Sequence, residues 1–494
     1  MSLSQLAARA DPFRRRLPEL SPTLAALILV FLTAAAYGLL APGLDAGLYV
    51  PAAALALVLA AVILLRPEIG LMLMFLTAPL ETTYVDVAGF RIKPSQVIGL
   101  LTLAGWALQL AVGRRKAIRS SGLTKPLALL MLTFLLAFVL HFQYLSYGIS
   151  LFGLQLWFVA MIIVLANFVD EPGVLRRCFW MFIIAGTLEA ALAIVQAAGF
   201  YDKVTTTTAY GSILNQARPA GTFSEPDFLA PFLVGAFLLI LPFWGSKRTG
   251  SWMPAVGVVV LLLLAASILA MVRASWLGMI AGLAVFGWLK LRERGDGLDF
   301  AALFKRMTSI LAALAVILVA LAVVWPTALQ TVSVRAKNLV AIVEPENPAP
   351  TRAQEMQQAW AVIKQNPLLG HGVGTIAITT EYGRTVAASA NSGRSGVVGA
   401  GIELGLLHDQ GIGGLLAFAL LMGVLLWRLL RALKKAGTSL PYVQGAIACV
   451  VGLTISACFN NLYYFAYYWL IIALAAAFSD LLLSKSPTAQ DATV

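Results

Sequence analysis

Residues 218–244 read RPAGTFSEPDFLAPFLVGAFLLILPFW. An arginine, a Gly-Thr-Phe turn and two acids, Glu225 and Asp227, lead straight into an apolar run long enough to cross a bilayer core, which takes about 20 residues of helix. The same texture recurs along the chain. Of its 494 residues 60% are hydrophobic and 12% charged, and the mean hydropathy is +0.86. A soluble globular domain carries about twice that charged share. Short alternating segments of the kind that build a transmembrane β-barrel are absent. The sequence therefore predicts an all-α fold, a polytopic transmembrane bundle of about 12–14 helices.

Apolar windows place spans near 24–41, 47–65, 69–85, 96–113, 126–142, 148–169, 177–199, 227–244, 252–272, 275–290, 308–326, 410–427, 441–459 and 462–483. With Arg14, Arg15 and Arg16 inside, each return to the cytoplasm meets a basic cluster: Arg66, GRRKAIR at 113–119, DEPGVLRR at 170–177, GSKRTG at 245–250, the 290–306 segment and WRLLRALKK at 427–435. That bias is what orients such proteins, and it accounts for the net charge of +12 without nucleic acid. The first twenty residues read as a retained cytoplasmic tail. Cys178, Cys449 and Cys458 have no metal-ligand spacing and read as small apolar filler.

The opposite face receives 201–226, the turn around Arg273 and the long segment 327–410. We divide the chain into an N-terminal bundle, 1–326, a periplasmic catalytic loop, 327–409, and C-terminal helices with a tail, 410–494. Within the loop, RAQEMQQAWAVIKQNPLLG (352–370) spaces Met356, Ala359, Trp360 and Ile363 as a short amphipathic helix. Arg273 sits in ILAMVRASWLGMIAG with almost no loop around it, at a membrane edge where cations are disfavoured.

Arg218, Arg273 and Arg352 thus share one side. Guanidinium stays ionised and grips phosphate oxygens in pairs, so such arginines suit a lipid pyrophosphate whose charge grows as its bond to a sugar breaks. The attacking hydroxyl needs a base. The outward candidates are His371, His408, Glu403, Glu225, Asp227 and Asp409. HExxH, paired CxxC, a strand-bound GxGxxG and GxxxxGK[ST] are all missing, and GHGVGT (370–375) lacks the lysine of a nucleotide cradle.

The order of these features resembles the O-antigen ligase and O-antigen polymerase superfamily. They run from Arg218 with GTF, through the Arg273 hairpin and Arg352 before NPLLGHGVG, to ELGLLHDQGIGGLLAF (403–418). The resemblance implies a metal-independent GT-C glycosyltransferase without cofactor in the bacterial inner membrane, multi-pass, with a periplasmic active site. Its partners would be undecaprenyl-pyrophosphate-linked oligosaccharide, membrane lipid and a chain-length regulator protein, with no nucleic acid. It assigns Arg218 and Arg273 to the pyrophosphate and Arg352 to the entry of the catalytic loop.

The ligase branch carries a histidine eleven positions before the glycine of the closing GxxG. Counted back from Gly411, that position is Ala400, followed by Gly401. Glu403, three residues on and on the same face if the segment is helical, becomes the first candidate base, with His371 and His408 behind it. Together with an arginine, ten residues, glycine spacing from Arg394 to Gly405, this favours a polymerase of exopolysaccharide or O-antigen repeats over a ligase acting on a lipid A core. A flippase or other transporter is the rival from another class, and Glu189 is its mid-span ionisable residue.

Overall fold

The structure is a computed structural model that describes residues 49–80, 82–87, 90–115, 118–142, 145–197, 218–244, 250–293, 352–379 and 401–484. The expected spans at 24–41 and 308–326, and Arg394 and Ala400, lie outside these residues.

Within them the chain is helical apart from one small hairpin. Helices α1 (Tyr49–Leu65) and α2 (Pro67–Thr77) precede strands β1 (Val85–Val87) and β2 (Phe90–Ile92), which pair antiparallel with Asp86 opposite Arg91. Then follow α3 (Pro94–Ala111), α4 (Thr124–Leu140), α5 (Leu145–Ala166), α6 (Pro172–Val195), α7 (Pro226–Ile240), α8 (Met253–Leu269) and α9 (Arg273–Glu293). After the undescribed stretch come α10 (Arg352–Ile363), the single turn α11 (Ile376–Thr379), α12 (Ile402–Leu433), α13 (Leu440–Ala457) and α14 (Ala466–Ser484). Eight of the described helices are long and apolar enough to cross a membrane: α5 to α9 and α12 to α14.

Proline sets several of the starts. It occupies the first turn of α2, α3, α6, α7 and α13, where its missing N–H is no loss. Glu225, just before Pro226, is extended at φ −149°, ψ 147°, as the ring of a following proline demands. Two elements differ from the sequence expectation. The span expected at 69–85 is the 11-residue α2, because Pro79 follows its last turn and the chain turns off toward the hairpin. The span expected at 410–427 begins instead at Ile402, and Gly411 (φ 67°, ψ −165°) kinks it.

Helices α7 and α14 form the centre. In each, 89% of the apolar window is buried, against 33% for α9 at the periphery. Tyr467 of α14 meets Phe223 and Phe232 edge-on, and Phe179 of α6 gathers Tyr442, Phe243 and Phe478. Helix α9 lies along α13 where small residues allow it: a Cβ on Gly278 would stand 2.4 Å from the Gly452 carbonyl oxygen.

The two ends of the bundle differ in charge. At one end Arg115 bonds to Glu171 and to the Asn167 carbonyl, Arg119 to Asp170, and Arg428 to Asp480, which also accepts from Ser121 and the Gly122 N–H. Lys290 and Gln444 share Glu293. The other end carries Arg218, Arg273 and the loop that follows α10.

Candidate functional site

At that second end the turn 220–222 is fastened to α6. Gln196 Oε1 accepts from the backbone N–H of Ala220 (3.2 Å) and Gly221 (2.8 Å), and its Nε2 donates to the Gly221 carbonyl (3.0 Å). One polar residue earlier on the same helix face, Glu189 Oε2 accepts the Thr222 N–H at 2.9 Å. Thr222 Oγ1 lies 2.6 Å from Glu189 Oε1 and 2.7 Å from the Pro79 carbonyl. Gly221 takes φ +61° there, and a Cβ on it would stand 2.1 Å from Glu189 Oε2, so only glycine fits.

This fixed turn presents Arg218. Its side chain is 16% exposed, its Nη1 stands 3.5 Å from Asp227 Oδ1, and its buried Nε has no hydrogen-bond partner. A guanidinium offers five donors, so most of its capacity is unspent. Arg273 opens α9 directly after a turn in which Met271 adopts φ 55°. Ala270, Val272 and Ala274 of that turn form one buried cluster with Ala230 of α7. Both arginine-bearing turns therefore dock on the same end of α7. Arg352 is the first residue of α10; the described side chains of that helix begin at Met356. Ala359 and Ile363 bury, whereas Met356 and Trp360 stay half exposed, so the expected amphipathic helix forms with part of its apolar face open.

Glu403 lies in the first turn of α12. Gly401 precedes that helix with φ −58° and ψ 166°, outside helical geometry, so the helix begins at Ile402 and the expected relation of Glu403 to Ala400 lies outside the described residues. Gly401 packs on the Cys458 carbonyl at the end of α13, and Glu403 lies beside the Cys458 thiol, whose Sγ also donates to the Thr454 carbonyl at 3.3 Å. Burial first, then the hydrogen bond and charge of Glu403, push that thiol up to about 12. Two residues on, Asn460 Nδ2 donates to the Asp227 carbonyl at 3.2 Å. The turn 458–461 thus connects the start of α12, with Glu403, to the start of α7, with Arg218 and Asp227.

The two histidines belong to a knot around the kink in α12. Because Gly411 leaves helical geometry, the His408 and Asp409 carbonyls and the Ile412 N–H lose their partners within the helix, and buried backbone groups must find others. The loop 366–375 supplies them: His371 N–H bonds to the His408 carbonyl (2.7 Å), Gly372 N–H to that of Asp409 (3.2 Å), and Ile412 N–H to that of Pro367 (2.8 Å). The Asp409 carboxylate accepts from His408 Nδ1 (2.9 Å), Tyr464 Oη (2.9 Å) and the Gly374 N–H (3.1 Å). Burial, then the Asp409 charge, raise the Tyr464 phenol, which keeps it a donor. His408 is wholly buried, with Nε2 against Thr379 Oγ1 at 2.8 Å.

His371 differs. Its Nε2 lies 2.8 Å from the Val362 carbonyl, which can only accept, so Nε2 carries the proton and Nδ1 keeps its lone pair. Burial lowers its pKa from the ordinary 6.5, favouring this neutral form. Its ring stacks on His408 with centroids 5.4 Å apart.

Glu189, Gln196 and Asn460 escaped the sequence reading as site residues. A signal existed for the first two: polar residues seven apart near one end of an otherwise apolar helix share a face. Asn460 had none, since its bond to α7 joins residues 233 positions apart. Among the described residues, no group of three or more His, Cys, Asp or Glu is arranged to hold a metal ion.

The arrangement offers cationic donors and proton acceptors at one end of an apolar bundle, which suits transfer of a group from an anionic carrier. No curated protein matches the chain. A family model described as O-Antigen ligase matches residues 258–406, from within α8 to the second turn of α12. The matched segment contains Arg273, Arg352, His371 and Glu403, while Arg218 and His408 lie outside it. With eight apolar helices among the described residues the chain is a multi-pass membrane protein, and over residues 258–406 it is similar to the O-antigen ligase family, which supports glycan transfer in general.

Proposed function

We propose that the chain is a membrane glycosyltransferase that polymerises oligosaccharide repeats carried on undecaprenyl pyrophosphate, at the periplasmic face of the inner membrane. Arg218 and Arg273 hold the diphosphate, and Arg352 guards the entry to the loop. An acceptor hydroxyl attacks the anomeric carbon of the donor sugar. Its proton passes to a base, the bond from that carbon to the diphosphate oxygen breaks, and polyprenyl diphosphate leaves. Fixed cations lower the barrier because negative charge on that oxygen grows in the transition state.

The observation that carries this reading is Arg218, nearly buried with one loose ion pair and an unpartnered Nε, beside a second arginine-bearing turn. Such a guanidinium is prepared for an anion. Glu403 is our first base, since it lies against the turn 458–461, which touches the Asp227 segment. His371 follows, its Nδ1 carrying the lone pair a base needs. His408 is third, because both of its ring nitrogens are engaged and it is fully buried.

A second reading, ligation of glycan to a lipid A core, draws support from the description of the matching family. The absence of a histidine at residue 400 speaks against it. One assay separates them: purified protein in lipid nanodiscs, lipid-diphosphate-linked oligosaccharide, no nucleotide and no added metal, with and without a lipid A core acceptor. Chain growth without the core supports the polymerase. Transfer to the core alone replaces it with the ligase, and no transfer in either arm removes both.

A further inference from the structure

Glu189 stands six residues before the end of α6, 4% exposed, and its role follows from counting protons. Thr222 Oγ1 has two short neighbours, Glu189 Oε1 at 2.6 Å and the Pro79 carbonyl at 2.7 Å. A hydroxyl carries one hydrogen. The Pro79 carbonyl has none to give, and an ionised Oε1 has none either. Were Glu189 a carboxylate, one of these contacts would set two oxygens at hydrogen-bond distance with no proton between them, inside an apolar bundle.

A proton on Oε1 resolves the conflict. Oε1–H then donates to Thr222 Oγ1, Thr222 donates to the Pro79 carbonyl, and Oε2 accepts the Thr222 N–H. Each proton of this three-residue relay then has an acceptor, which is what buried polar networks require. The ionic alternative lacks a counter-charge, since no ion pair among the described residues involves Glu189. A lone buried carboxylate is expensive, and a neutral acid avoids that expense.

We infer that Glu189 is a neutral carboxylic acid whose proton bridges α6 to Thr222 and the end of α2, making it the positioning residue for the turn that presents Arg218. It binds no substrate itself. The clamp works with Gln196, which holds the two preceding peptide units of the same turn. That Arg218 in turn holds a diphosphate rests on the transferase reading above.

The test uses the full-length protein in nanodiscs with three substitutions. Glu189→Gln reproduces the neutral acid, with Oε1 accepting from Thr222 N–H and Nε2 donating to Thr222 Oγ1. Glu189→Ala removes the clamp, and Thr222→Val removes only the bridging hydroxyl. The infrared difference between wild type and E189Q at neutral pH should contain the carbonyl stretch of a protonated carboxyl, and that band should shift in T222V. E189Q should keep melting temperature and donor turnover within about 3-fold of wild type, whereas E189A should raise the donor KM by at least about 10-fold. Absence of the band, or an E189Q as impaired as E189A, overturns the inference. The spectrum and the melting curves need no substrate, so a failure of the transferase reading would leave them intact and be seen separately. Should E189A not fold, the band and its shift in T222V still decide.

Discussion

Arg218 Nη1 and Asp227 Oδ1 stand 3.5 Å apart across the turn that opens α7. A committed guanidinium and carboxylate close to about 2.7–2.9 Å. Asp227 therefore orients the arginine without saturating it, and at this distance and exposure the pair adds little stability, about 1 kcal/mol at most. Arg218→Ala should lower donor kcat/KM by about 100-fold or more, the scale seen when one transition-state donor is removed. Arg218→Lys should recover little of it, because an ammonium cannot span two phosphate oxygens as the planar fork does. Asp227→Asn should stay within about 10-fold of wild type. Steady-state kinetics on the three variants check the ranking; equal activity of R218A and wild type contradicts it.

The Asp409 carboxylate is 3% exposed and accepts three hydrogen bonds from three segments. Removing it strands His408 and Tyr464, so Asp409→Ala should cost about 3–5 kcal/mol, the range for breaking a buried pair. Tyr464→Phe removes one donor from a charged acceptor and should cost about 1.5–3 kcal/mol. Chemical denaturation in detergent measures both, and a tyrosine variant as damaged as the aspartate variant would contradict the ordering.

Gly411 makes that knot possible. Its φ of 67° with ψ of −165° is a region that side-chain-bearing residues avoid, and an added Cβ would stand 2.3 Å from the Leu368 carbonyl oxygen. Gly411→Ala should straighten α12 or expel the 366–375 loop. The expected readouts are a protease cut in that loop, absent from wild type, and lost transfer. An alanine variant with unchanged proteolysis would show that the kink is not needed.

His371 gives the fold a pH dependence with a definite sign. Its folded pKa lies below the ordinary 6.5, chiefly through burial, so below pH 6.5 the unfolded chain binds more protons than the folded one. The stabilisation is complete above 6.5 and is lost as pH falls from there toward the folded pKa. Melting temperature measured between about pH 7.5 and about pH 5.5, about one unit either side of the ordinary value, should fall more steeply for wild type than for His371→Gln. Parallel curves would remove His371 as the sensor.

Cys458 reports on Glu403. With the thiol pushed up to about 12, little thiolate forms near neutral pH and alkylation should be slow. Glu403 contributes to that shift through its hydrogen bond and its charge, so Glu403→Gln should speed alkylation of Cys458. Rates followed by mass spectrometry on a Cys178→Ala, Cys449→Ala background test this, and an unchanged rate would separate the two side chains.

The helices were legible because apolar length and basic clusters report directly on burial in lipid and on sidedness. Apart from that at 69–85, which a helix covers only in part, each expected span that falls in the described residues overlaps a helix. The short α2 was misjudged because hydropathy continues past Thr77, whereas Pro79 ends the helical backbone. The residues that hold the site were less legible. Glu189 stood out as an ionisable group in a span, yet its meaning depended on a turn more than thirty residues away. Asn460 and Tyr464 reach partners on other helices through side chains whose types carry no periodic signal.

The central claim is that two arginine-bearing turns on the same end of α7 steady a departing diphosphate. It is tested most directly by native mass spectrometry of the purified protein with polyprenyl diphosphate, polyprenyl monophosphate and free polyprenol. The account predicts that wild type prefers the diphosphate and that Arg218→Gln and Arg273→Gln each weaken that preference by about 10-fold or more, about 1.4 kcal/mol per tenfold step, while polyprenol binding is unchanged. Equal retention of all three lipids by wild type, or an undiminished diphosphate preference in both variants, contradicts it.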